Sequence, residues 1–157
     1  MRAAVHAVAA AGAAALLATV AMAQEMSREE KAAHTRQGLM NLFSWEAGPL
    51  FAMAKGDMTY DAAMATAHAE NLAALTRYSP ASLFVPGSST EELGDKTRAL
   101  PVIWEKLDEF GQAYQMLGER ATVLAGESGK GVDQLRAAAG ELGKACGNCH
   151  ENFRQKD

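Results

Sequence analysis

The stretch Val132-Asp133-Gln134-Leu135-Arg136-Ala137-Ala138-Ala139-Gly140-Glu141-Leu142-Gly143-Lys144-Ala145-Cys146-Gly147-Asn148-Cys149-His150-Glu151-Asn152-Phe153 carries a fold signal and a chemical signal together. Val132, Leu135, Ala139, Leu142, Cys146, Cys149 and Phe153 recur at alternating spacings of three and four, so they line one face of a helix predicted over about 132–155. Inside that helix, Cys146-Gly147-Asn148-Cys149-His150 spells C-x-x-C-H, the attachment signature of a c-type haem. Two thiols add across the porphyrin vinyl groups, and the adjoining histidine is placed to ligate iron from the proximal side. His150 follows Cys146 by four residues and Cys149 by one, so on a helix its imidazole leaves beside the two sulfurs.

Other chemistries of the same residues have further requirements. A thioredoxin-like C-x-x-C wants a βαβ context, and no strand pattern surrounds it. A structural zinc site needs a fourth ligand, while His34 and His68 lie far off in sequence. A disulfide between Cys146 and Cys149 would close a tiny loop and add little.

Upstream, three more helical segments are predicted. Ser27-Arg28-Glu29-Glu30 is a capping-box sequence opening a helix over about 27–54. Its seam is Ala33, Arg36, Met40, Phe43, Ala47, Leu50 and Ala54, and Gly48-Pro49 should kink it. An alanine-rich second helix is expected over about 60–77, with Thr59 as N-cap and Leu72 and Leu75 as its largest anchors. A connection over 79–100 follows, long enough without structure of its own that it either packs as a functional lid or the helix boundaries beside it lie elsewhere. Pro101 suits the first position of a third helix, whose seam is Ile103, Leu107, Phe110, Tyr114, Leu117, Ala121 and Leu124. Four amphipathic helices bury one another as an antiparallel, up-down-up-down four-helix bundle, an all-α fold with the haem in its interior.

Composition agrees with that class. The 157 residues are 48% hydrophobic, 22% charged and 6% aromatic, with a formal charge of −4, which disfavours a disordered chain or a nucleic-acid surface. Residues 1–23 open with Arg2, run through an alanine-rich apolar stretch and close on Ala21-Met22-Ala23, an A-x-A cleavage site. A cleaved secretory signal is expected there, leaving a single soluble periplasmic domain over 24–157 with no membrane insertion after signal removal. An uncleaved anchor is the other use of such a span.

With these residues in place, the chain resembles the class II c-type cytochromes, and within them the cytochromes c prime. The resemblance rests on Arg36-Gln37-Gly38-Leu39-Met40, on Gly94-Asp95-Lys96-Thr97-Arg98 with Pro101 and Trp104, and on the Cys146 to His150 motif with Phe153-Arg154. It implies haem c bound through Cys146 and Cys149, with His150 as the fifth iron ligand. It also implies Arg36, Gln37, Met40, Phe43, Thr97, Arg98, Phe153 and Arg154 as cofactor neighbours. The sixth position is often vacant in that family and walled by apolar side chains. The implied function is binding of small gases, nitric oxide and carbon monoxide, or one-electron transfer with a redox protein that the sequence does not identify. Many relatives form homodimers, and the alanine-rich first two helices suit that arrangement.

Met40 separates two readings. It falls where the family faces the distal side of the iron, and there its thioether either packs, leaving a five-coordinate site, or ligates iron as a sixth ligand in a low-spin electron carrier. Arg36 is a charge on an apolar seam; a haem propionate would supply its anion, or its stem would lie along the core with its head in water. Arg98 could reach a second propionate or stay solvated. Arg154 either flanks the proximal pocket or answers the helix dipole. His34 and His68 read as surface histidines, and Trp45 and Trp104 as bundle packing. A peroxidase would want a distal histidine or arginine, whereas the seam around Met40 is apolar, so no enzymatic activity is expected.

Overall fold

The computed structural model describes residues 25–156, so the signal segment expected at 1–23 lies outside the described residues. Six α-helices follow in order: α1 Arg28–Lys55, α2 Ala62–Thr76, α3 Thr90–Leu93, α4 Val102–Glu105, α5 Leu107–Glu127 and α6 Val132–Phe153. The long helices α1, α2, α5 and α6 pack in a closed ring, α1 on α2, α2 on α5, α5 on α6 and α6 back on α1. This is the expected four-helix bundle.

The capping box forms as the sequence spells it. The Glu30 amide donates to Ser27 Oγ at 3.2 Å and the Ser27 amide to Glu30 Oε2 at 2.8 Å, satisfying two donors that the first turn leaves free. Helix α1 continues through Pro49 and ends at Gly56, whose φ of 87° only glycine adopts without strain. Where α2 begins, Thr59 is not the cap. Asp61 Oδ1 accepts from the Met64 amide at 2.9 Å instead, because its side chain stands three residues before that donor and α2 starts at Ala62. Asp61→Ala should therefore lower the unfolding free energy by about 1 kcal/mol, read from urea unfolding, and Thr59→Ala by far less.

The main core gathers Phe43, Ala47, Leu50, Met53 and Ala54 of α1, Ala65, Ala69 and Leu72 of α2, Ala121 and Leu124 of α5, and Leu135, Ala138, Ala139 and Leu142 of α6. Leu50, Leu124 and Leu135 are wholly buried, and each such side chain contributes about 2 kcal/mol of burial. Alanine at so many contacts lets the helix axes approach closely.

Two expectations about the third helix need correction. It is broken at Lys106, whose φ of −128° and ψ of 48° separate α4 from α5. Leu107, the first residue of α5 after that break, is 55% exposed rather than on the seam, while Ala113 is buried. The connection over 79–100 has structure of its own: a 3-10 turn at Pro80–Leu83, α3 with its own capping box from Ser89 to Glu92, and a second 3-10 turn at Gly94–Lys96. Trp45 does not pack in the bundle; it is 73% exposed on the outer face of α1.

Candidate haem site

Helix α6 presents Cys146, Cys149 and His150, all half-buried, where two apolar regions meet. Cys146 packs against the main core. Cys149 packs against a second cluster built on Ile103, Ala113 and Phe153, with Phe84, Trp104 and Phe110 at its margin. Phe110 stands edge-on to Phe153 at 5.3 Å between centroids, and Phe84 lies 4.6 Å from Phe110.

Both thiols are free. Burial pushes the Cys146 thiol up, and burial with Cys146 alongside pushes Cys149 up to about 11. Protonated thiols at neutral pH are the reverse of a redox C-x-x-C or a zinc thiolate pair, both of which depress thiol ionisation. Among the described residues, no group of three or more His, Cys, Asp or Glu side chains is assembled for a bare metal ion. Burial holds the His150 imidazole below its ordinary pKa, and the Arg154 and Arg98 guanidinium groups add to that. The ring is therefore neutral at physiological pH, with a nitrogen lone pair to offer. Two thiols and a neutral imidazole on one helix, flanked by apolar and aromatic surface, fit a porphyrin joined by thioethers and ligated from one side.

On α1, Leu39 and Met40 border the main core, half-buried, and Phe43 is buried with its ring centroid 6.5 Å from that of Tyr114. His34 is exposed. His68 Nδ1 is bonded to Glu46 Oε2 at 2.8 Å, tying α2 to α1. The seam near Met40 is apolar, as its spacing implied.

Arg36 does not hold its head in water, one of the two settings expected for it. It is 5% exposed, and its guanidinium donates to Leu83 O at 2.8 Å, Ser88 Oγ at 2.7 Å, Ser88 O at 2.7 Å and Thr97 Oγ1 at 3.1 Å. It also lies 4.9 Å from the Phe84 ring centroid and 5.9 Å from that of Trp104. All four hydrogen-bond partners are neutral oxygens, so the buried charge meets no protein anion there. Thr97 is thereby joined to Arg36, and Gln37 Nε2 donates to Lys96 O at 2.8 Å just beside it. Arg98 Nη2 and Nε both donate to Gln155 O, at 2.7 and 3.1 Å, while Arg154 is exposed and bridged through its backbone to Ala99. Phe110, expected only as a seam residue, joins the site, and Ser88 and Phe84 take part without having been singled out from sequence. The one signal for Ser88 and Phe84 was the unusual length of the connection they belong to.

The family model described as Cytochrome C' matches residues 31–154, nearly all of the described chain. The chain belongs to the cytochrome c' family. As a cytochrome c'-type protein it carries haem c, attached through Cys146 and Cys149. It is 39% identical to the cytochrome c' of Cereibacter sphaeroides over 141 residues, covering 90% of this chain and 94% of that protein. A solved structure described as cytochrome c' from Rhodobacter spheriodes superposes with a TM-score of 0.81 at 40% identity, over 83% of this chain and all of that one. Another, a nitric oxide complex of a mutant cytochrome c prime from Alcaligenes xylosoxidans, gives a TM-score of 0.71 at 31% identity, over 84% of this chain and all of that one.

Proposed function

We propose that this cytochrome c' is a periplasmic protein whose iron is held by His150 alone on the protein side and binds nitric oxide and carbon monoxide or passes single electrons. The observation that carries it is the apolar wall of Leu39, Met40 and Phe43, in which Met40 is already packed against the main core. The haem, when bound, supplies an iron that takes one small neutral ligand or one electron. Around it, His150 donates its neutral nitrogen, Cys146 and Cys149 fix the porphyrin against α6, and the α1 wall excludes water and polar ligands. Arg36, carrying a buried charge without a protein anion, is the residue we assign to a haem propionate, with Gln37, Thr97 and Arg98 on the same side. Phe153 packs beneath, and Arg154 flanks the His150 side. That wall holds no proton donor suited to cleaving a bound peroxide, which favours a binding and transfer role over an enzymatic one.

Periplasmic placement rests on the A-x-A-terminated segment 1–23, with 24–157 as the exported domain. Among the described residues no helix is long and apolar enough to cross a membrane. A homodimer belongs to the same proposal, since one structural neighbour is described as a cytochrome c' with ligand-controlled dimer dissociation.

The second reading keeps Met40 as sixth ligand, and its position on the same seam favours it enough to be tested directly. Ferric and ferrous absorption and magnetic spectra are expected to be high-spin in the wild type and to stay so in Met40→Ala, with carbon monoxide binding in both. A low-spin wild type that turns high-spin in Met40→Ala would install Met40 as the ligand. Sedimentation of the same samples with and without carbon monoxide reads the dimer.

A further inference from the structure

Residues 97–100 leave the 3-10 turn at Gly94–Lys96, with Thr97 extended at φ −146° and ψ 163°, and run between α1 and the end of α6. Toward α1, Gln37 Nε2 donates to Lys96 O, Arg36 Nη2 donates to Thr97 Oγ1, and Lys96 Nζ pairs with Glu30. Toward the end of α6, the Leu100 amide donates to Phe153 O at 3.1 Å and the Gln155 amide to Arg98 O at 2.8 Å, framing the antiparallel Ala99–Arg154 bridge. Arg98 then adds two side-chain bonds to Gln155 O. Alternation along an extended chain explains the arrangement: Arg98 and Leu100 turn their backbone groups to the tail, while Ala99 O, facing the other way, accepts from the Thr90 amide at 2.9 Å. Met40 lies one helical turn after Arg36, and His150 one turn before Arg154, so the strap's anchors sit a single turn from each side of the iron site.

We propose that residues 96–100 form a strap fixing the separation of the Met40 face of α1 from the His150 end of α6, with Thr97 and Arg98 as its positioning residues. Loosening either end alters the environment of His150, although Thr97 is bonded on the α1 side. The strap rests on His150 as iron ligand and not on what binds opposite it.

The test uses the holoprotein, with retained helicity and Soret absorbance as the check on folding. Thr97→Val removes the hydroxyl that Arg36 and the Ala99 amide share, at nearly constant shape, and Arg98→Met removes the clamp on Gln155. Both variants should displace the hyperfine-shifted His150 ring-proton resonances and change the ferric-to-ferrous ratio at fixed potential at least threefold, a midpoint shift of about 28 mV. Arg98→Lys should restore part of the shift. If Thr97→Val fails to fold, Gln37→Ala loosens the same end through Lys96. His150 resonances that move with Arg98→Met alone, or with no variant, overturn the strap. A low-spin wild type would instead overturn the five-coordinate reading and leave this test intact, because ring-proton shifts are read in either spin state.

Discussion

Replacing both Cys146 and Cys149 with serine is expected to give a mature chain of bare polypeptide mass with no covalently held haem, whereas each single variant keeps one thioether. The mutations themselves are mild. Both thiols are half-buried in apolar surroundings, and putting a hydroxyl in each place costs about 1 kcal/mol when a partner is lacking. The larger consequence comes from linkage: only the folded chain makes the pocket's contacts with the porphyrin, and the covalent links hold that group at high effective concentration for them. Without the links, His150 alone must retain the porphyrin. The thermal midpoint of the double variant should thus fall well below that of either single variant. Mass spectrometry, absorbance after acid extraction of non-covalent haem, and thermal unfolding give the three readings. Covalent haem mass in the double variant would remove the basis for the site.

The parts of this molecule that a sequence makes plain are those decided by local chemistry. Ser27 and Glu30 cap α1 because both partners lie within one turn. The α6 seam is legible because no glycine or proline disturbs its phase enough to matter, and the haem motif is legible because its three reacting groups are adjacent in the chain. What the sequence hides is set by distant partners. The break at Lys106 depends on how α4 packs Ile103 and Trp104 against Phe84, with Trp104 Nε1 donating to Phe84 O at 3.0 Å. That break leaves Leu107 at the N-terminal edge of α5, where it is exposed, while Ala113 is buried. Thr59 and Asp61 are both acceptable caps; the choice falls to whichever oxygen precedes the Met64 amide by the right distance. Trp45 looks like a core residue by type alone, yet it stands on the face opposite Phe43 and Ala47. The seam position of Arg36 was readable, but its protein partners were not, because its four acceptors come from residues 47 to 61 positions away.

That setting gives the other large expected effect. Arg36→Met should destabilise the holoprotein by about 3 kcal/mol in urea unfolding, because a buried acceptor left without its donor costs about 1–3 kcal/mol. Methionine fills the volume beside Phe84 and Trp104 and recovers apolar contact, so packing is not the principal loss. The loss lies in the acceptors left behind. Ser88 Oγ still donates to Val85 O at 2.7 Å, but Ser88 O is buried with the residue at 0% exposure and loses its donor, and Thr97 Oγ1 keeps only the Ala99 amide. Burial lowers the pKa of Arg36, but a guanidinium starts high enough to remain charged at neutral pH, so the cost of dehydrating it is carried by these bonds and by the aromatic faces beneath. Arg36→Lys should recover only part of the difference, since an ammonium is a compact charge with three donors and cannot span Leu83, Ser88 and Thr97 in one plane. Limited proteolysis should report the same event locally, with cleavage over 84–97 accelerating before the bundle itself opens. Unfolding within 0.5 kcal/mol of the wild type would mean that the connection holds its place without Arg36, and that its buried charge serves only the porphyrin.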